Sequence, residues 1–316
     1  MKKNSIISIL VLFVTAIVWG FAFPFQNIAS EYISTFWFNG IRFIIGAISL
    51  IPVVLFFERE KLSKAQWKKL IISSSTCGIL LFAASALQQA GISMSGSSAK
   101  AAFITGLYMV FVPFCGIFMG NKIRPEAWIG AAAAVVGLYF VCFANGFENV
   151  NIGDMVTLIG AFVWTAHIVC IDKFASDCPS LKFSLFQFFT CGIINLAVAP
   201  FFEGALVLDG EAVKNLIVPV LYCGIGSVGV AYTCQVIGQR GTEPALASII
   251  LCTESIFAAI GEMPVYYLMV ALGFGGSITK PSPLPLTGYI GCALIFVGIL
   301  LSQANIFKPK AIKKKA

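Results

Sequence analysis

Charge is scarce in this chain. Of 316 residues, only 11% are Asp, Glu, Lys or Arg, where a soluble domain averages about a quarter. Histidine is rarer still, with His167 the sole example, so no histidine-built zinc site can form. The ten cysteines are scattered and none has CxxC spacing. Cys115, Cys142, Cys223 and Cys292 sit inside apolar runs, where free cysteine behaves as a small core residue. No Walker A motif is present, which excludes ATP hydrolysis by the familiar phosphate loop. HExxH and GxSxG are missing too, which argues against a zinc or serine hydrolase within the membrane. The expected cofactor and metal content is therefore none. GIGSVG at 224–229 matches the GxGxxG pattern, but it lies wholly inside an apolar run. A dinucleotide fold needs a strand before the glycines and a helix after them. Close helix packing is the better reading, as for GIFMG at 116–120.

What the chain has in quantity is apolar sequence, 59% of its residues. The apolar residues fall in blocks of about twenty, the length that crosses a hydrocarbon core of about 30 Å. Backbone groups in lipid must bond within the protein, which leaves helices or closed barrels. Continuous rather than alternating apolar runs select helices. Ten spans are expected, at 6–27, 35–57, 70–90, 98–120, 126–145, 153–173, 182–202, 215–238, 245–273 and 286–305. The first, MKKNSIISILVLF and onward, runs to about Phe25. That is too long for a signal-peptide core, so it reads as a membrane helix.

The basic residues orient the spans. Of 21 Lys and Arg, Arg42 and Lys100 lie within spans. With the N-terminus inside, seventeen of the rest fall on the inner side and only Lys214 and Lys280 on the outer side. The positive-inside rule then places both termini in the cytoplasm. The net charge of +7 largely reflects this bias and the tail KPKAIKKKA, which suits contact with anionic lipid rather than nucleic acid.

The chain also repeats itself. AIVW at 16–19 matches AFVW at 161–164, and FNGIRF at 38–43 matches FSLFQF at 183–188, both offset by 145. SSAKAAFITGLYMVF at 97–111 lines up with EPALASIILCTESIF at 243–257, offset 146. WIGAAAAVVG at 128–137 matches YIGCALIFVG at 289–298, offset 161. The order implies two five-helix halves, 6–145 and 153–305, followed by a basic cytoplasmic tail, 306–316. Five is odd, so the halves are inverted about an axis in the membrane plane, an architecture of secondary transporters. The growing offset puts about fifteen extra residues in the second half, around MVALGFGGSITKPSPLPL, a Gly/Pro-rich outer link.

At WGFAFPF (19–25), IRF (41–43), AAFITGLYMVFVPF (101–114), TES (253–255) and GYIGCALIFVGILLSQ (288–303), the chain resembles the EamA-type ten-helix transporters of the drug/metabolite transporter superfamily. The resemblance covers essentially the whole chain. It implies a multi-pass protein of the bacterial inner membrane that moves a small metabolite, amino acid-like or drug-like, with export the expected direction. It also favours a structural role for Arg42. The family's GE pair ends its ninth helix, whereas here Gly261-Glu262 comes early and Pro264 and the insertion follow.

Ionisable groups inside a membrane helix are costly and point to function. Glu254 lies about 13 Å into the ninth span, near the midplane, and its repeat counterpart is Tyr108. His167 is a candidate proton relay or a packing histidine. Lys100 and Arg42 are each a cavity cation or a snorkelling or structural group, and Glu262 lies nearer the outer end. Trp19 and Trp164 are repeat-related and sit away from the interfacial belt. Gln88, Gln89 and Gln235 either line a cavity or bond between helices. Gly20 and Pro24 make a candidate hinge in the first span. The expected function is alternating access around Glu254, with Lys100 or His167 as its partners. The expected partners are a small-molecule substrate, the bilayer and a proton as candidate coupling ion, in a monomer or homodimer. A lipid-linked substrate flippase is the alternative, and an integral membrane transferase a weaker one.

Overall fold

A computed structural model describes residues 6–118, 125–142, 151–274, 280–281 and 285–303. The expected basic tail, and most of the link after the ninth span, lie outside the described residues. Among the described residues every regular element is helical: α1 (Ile6–Ala29), α2 (Thr35–Phe57), α3 (Lys64–Ser95), α4 (Ser98–Gly106), α5 (Tyr108–Phe118), α6 (Pro125–Cys142), α7 (Ile152–Phe174), α8 (Ser180–Phe202), α9 (Gly210–Leu221), α10 (Thr233–Gln239), α11 (Pro244–Leu251), α12 (Glu254–Ala271) and α13 (Leu286–Gln303). An eleven-residue π-helical stretch, Tyr222–Tyr232, joins α9 to α10. Eight of the resulting rods are long and apolar enough to cross a bilayer, counting α4 with α5, α9 with α10, and α11 with α12. Shorter apolar stretches, Trp128–Gly137 in α6 and Leu286–Gly298 in α13, occupy the fifth and tenth expected spans.

Polar residues set the ends of these rods. Ser63 opens α3 with a capping box: its Oγ accepts from the Gln66 amide, and Gln66 Oε1 accepts from the Ser63 amide at 2.8 Å. Gly96, at φ +65°, closes α3 in the left-handed region that a side chain would resist. Ser97 then caps α4, Asn151 and Asp154 box the start of α7, and Asp209 caps α9. Helix α3 begins six residues before its expected span, because KAQWKK forms an exposed polar first turn and a half. The end of the bundle that holds this turn is the basic end; the opposite end holds Ser98 and Glu203.

The packing has the symmetry of an exchange between halves. Helix α2 pairs with its counterpart α8, and α6 with its counterpart α13. The α3–α7 pairing is mirrored by α1 against the π-helical stretch and α10, and the α4/α5 contacts with α7 are mirrored by α1 against α11 and α12. The halves are thus interlaced, and the best-packed groups each draw on both.

The α2–α8 pair shows the symmetry atom by atom. Glu58, just past the end of α2, accepts from the Leu181 and Lys182 amides in the first turn of α8, both at 2.9 Å. Glu203, just past the end of α8, accepts from the Phe36 amide at 2.9 Å, the Trp37 amide at 3.2 Å and Ser34 Oγ at 2.7 Å in the first turn of α2. Each carboxylate stops the otherwise unpaired amides of a helix start, where negative charge is favoured. Side chains flank both clasps: Lys182 Nζ donates to the Glu60 carbonyl at 3.0 Å, and Trp37 Nε1 to the Gly204 carbonyl at 3.1 Å.

Candidate functional site

Two rods change pitch at the same repeat position. In the fourth, Leu107 donates to Ile104 O and Val110 to Leu107 O, three residues back rather than four. In the ninth, Thr253 donates to Ile250 O and Ser255 to Cys252 O in the same way. Side chains assist the ninth: Thr253 Oγ1 donates to Ile250 O at 2.7 Å and Cys252 Sγ to Ile249 O at 2.9 Å, a local competition for carbonyls that tightens a helix. Tyr108 and Glu254 lie within the two tightened turns and begin α5 and α12. They face each other, and Tyr108 Oη donates to Glu254 Oε1 at 3.0 Å across an offset of 146 residues. Both are buried, at 2% and 3% exposure.

Around this bond lies a central cavity. Its walls include Trp19, Ala22, Phe23 and Gln26 of α1, Arg42 of α2, Gln88 of α3, Thr105 and Tyr108, Trp164 and Ile168 of α7, Ser227 and Tyr232 of the π-helical stretch, Gln235 and Glu254. About 20 Å³ is open to the centre of a water molecule, room for about one. The α1 lining residues recur at intervals of three and four, one face of a helix. Trp19 and Trp164 approach to 6.4 Å between ring centroids, and each packs on Tyr232, at 4.5 and 5.9 Å. Trp19 Nε1 donates to the Ser227 carbonyl at 3.3 Å, in the stretch where π geometry shifts carbonyls off the usual register.

The polar lining is unevenly partnered. Gln88 Nε2 donates to Thr105 Oγ1 at 3.2 Å, while both side-chain polar atoms of Gln235 lack a hydrogen-bond partner. Arg42 donates from Nε to Asn39 Oδ1 at 2.8 Å and from Nη1 to Gln26 Oε1 at 2.9 Å. Gln89 lies just behind the wall, and its Nε2 donates to the Gln26 carbonyl at 3.1 Å.

Seven of the residues singled out in the sequence therefore meet in one place: Trp19, Arg42, Gln88, Tyr108, Trp164, Gln235 and Glu254. Lys100 and His167 do not, which corrects the expectation that one of them partners Glu254. Lys100 Nζ pairs with Asp154 at 2.7 Å, so its charge is answered by an acid in the first turn of α7. His167 sits behind Trp164, fully buried, with Nε2 3.3 Å from Gln187 Oε1. Gly20 is a packing position. A Cβ there would lie 2.7 Å from the Glu254 carbonyl oxygen and 2.9 Å from the Ala258 nitrogen, so glycine lets α1 press on α12. Helix α1 runs unbroken through Gly20 and Pro24.

Gln26 and Tyr232 line the cavity without having been singled out. Gln26 was legible, since it is seven residues past Trp19 on the same face. Nothing local distinguishes Tyr232 from a packing aromatic.

Two further cavities flank the centre. One of about 290 Å³ lies at the far end, beside Pro24, Asn27, Ser98, Glu262 and Tyr266, where Ser98 Oγ donates to Glu262 Oε1 at 2.5 Å. Another of about 380 Å³ lies at the basic end among Glu58, Asp177, Lys182 and Arg240. There Gln239 Nε2 of α10 donates to the Ile168 carbonyl of α7 at 3.0 Å, and Arg240 Nη2 to the Ser176 carbonyl at 3.0 Å.

Comparison with known proteins adds three findings. The model of the EamA-like transporter family matches the sequence twice, over residues 6–143 and 151–303. An uncharacterized transporter of Archaeoglobus fulgidus is 25% identical over 255 residues, which cover 80% of this chain and 76% of that protein. A crystal structure of a further protein is similar over 96% of this chain and 99% of that one, with a TM-score of 0.68 at 19% identity, a likeness of fold alone.

Proposed function

Because the chain belongs to the EamA-like transporter family, we propose that it is a secondary transporter of a small metabolite, working by alternating access through the central cavity. The observation that carries this reading is the Tyr108–Glu254 bond. It joins the two pitch changes, near the middle of both rods, and inverted-repeat carriers bind substrate near the midplane. The moving bodies are not the sequence halves. In this reading one comprises α3, the α4–α5 rod and α7, the other α1, the α9–α10 rod and α12, grouped by how the helices pack. The α2–α8 seam, clasped at both ends, is the natural fixed element.

Hydrogen bonds cross between these bodies at three levels, with Gln89–Gln26 and Ser255–Ala102 beside the central one. Ser98–Glu262 closes the far end, Tyr108–Glu254 the centre, and Gln239–Ile168 the basic end. Parting one end while the other holds would open the cavity to one side at a time. The central space has room for about one water, so a substrate enters only as these contacts separate. Glu254 binds a substrate charge or a proton, and the drive is a proton gradient or the substrate's own. The protein sits in the cell membrane with both termini in the cytoplasm, and export is the direction we propose; the family resemblance itself fits export or import.

Flux through purified protein in liposomes tests this. Saturable, substrate-dependent flux is expected for at least one compound in a panel of amino acids and cationic drugs. Flux no greater than through empty liposomes for every compound would contradict the reading.

A further inference from the structure

Arg42 is a buried charge with an unpartnered donor. Its side chain is 1% exposed, and its carbon lies 5.2 and 5.1 Å from the Phe38 and Phe43 ring centroids. Both of its bonds go to neutral amide oxygens, of Asn39 and Gln26. Nη2 has no hydrogen-bond partner, and among the described residues no carboxylate pairs with it. Arginine keeps its charge when buried, and a buried charge without a counter-ion is expensive. A purely structural role explains the two amide bonds but leaves Nη2 unanswered in a residue that lines the cavity.

We infer that Arg42 receives a carboxylate of the substrate, so that the transported compounds are small monocarboxylates with an apolar or aromatic body. This rests on the transporter reading and narrows it. Asn39 engages Nε and Gln26 engages Nη1, which leaves Nη2 to donate a charge-assisted hydrogen bond to an oxyanion. A dianion such as a phosphate ester would need a second cation, and the lining offers one cation and one acid, Arg42 and Glu254. Glu254, held by Tyr108, faces the rest of the molecule and tolerates a cationic substituent. Trp19, Trp164 and Tyr232 supply the surface for an apolar or aromatic body.

Matched acid and amide pairs test this: 3-phenylpropionate against its carboxamide, and L-phenylalanine against L-phenylalaninamide. Binding to the purified protein is read as thermal stabilisation, and uptake as competition for flux in liposomes. The acids are expected to bind about tenfold or more tightly than their amides, the loss of a charge-assisted hydrogen bond. Arg42→Lys should keep the preference for the acid with weaker binding, and Arg42→Gln should abolish it. Should Arg42→Gln fail to fold, the wild-type ligand pairs still decide the matter. Equal binding of acid and amide, or flux confined to cationic compounds, would overturn the carboxylate assignment while leaving a transporter. Absence of flux for every compound would overturn both.

Discussion

Removing either carboxylate clasp should loosen the α2–α8 seam by the same amount. Glu58→Ala leaves the Leu181 and Lys182 amides without their acceptor, and Glu203→Ala does the same to Phe36 and Trp37. A lost cap costs about 1 kcal/mol, and the lost charge at a helix start adds about 0.3–1 kcal/mol. Both carboxylates are partly exposed, so water recovers some of this and about 1–2 kcal/mol per clasp is the working value. At roughly 2–4 °C per kcal/mol, each substitution should lower the melting temperature in detergent by about 2–8 °C. Helix α2 has 23 residues, about 35 Å at 1.5 Å each. The clasps are thus far apart, and the double substitution should lose the sum of the two. Tryptophan fluorescence during heating measures this. An unchanged melting temperature, a loss confined to one end, or a double variant no worse than a single would refute the reasoning.

Gly20→Ala forces a methyl group against the Glu254 carbonyl and the Ala258 nitrogen. It should destabilise by about 1–3 kcal/mol, and flux should fall because α12 shifts with Glu254. A normal melting temperature and normal flux would show that the helices part freely there. Lys100→Met leaves Asp154 buried without its cation and should cost about 3–5 kcal/mol, which Lys100→Met with Asp154→Leu recovers except for about 1 kcal/mol of lost α7 capping. Equal stability of the two variants, read by thermal melting, would contradict the structural role. Pro24→Ala should leave flux within about twofold, because α1 is already continuous through residue 24; a large loss in the liposome assay would restore proline as a hinge.

Much of the architecture was legible because lipid imposes simple rules. Apolar length marked the spans, and internal offsets marked the inversion. Tyr108 and Glu254 were placed opposite each other by the repeat alone, and they are bonded. The clasps were equally visible in principle, since Phe-Phe-Glu recurs at 56–58 and 201–203. What stayed hidden depends on partners far along the chain. Lys100 resembles a cavity cation until Asp154 is folded against it, and Gly20 resembles a hinge until α12 is placed on it. Small residues such as those in GIGSVG suit tight packing as well as the π geometry they adopt. Interlacing of the halves is invisible in sequence, because repeats reveal equivalence and not contact.

The central claim is that transport passes the Tyr108–Glu254 contact. Its most direct measurement is flux in liposomes by wild type, Glu254→Gln and Tyr108→Phe at matched folded protein. Glu254→Gln should abolish flux or uncouple it from the driving gradient. Tyr108→Phe, which removes only the bridging hydroxyl, should alter the rate while keeping coupling. Unchanged coupled flux in Glu254→Gln would contradict the account and leave Glu254 a structural residue.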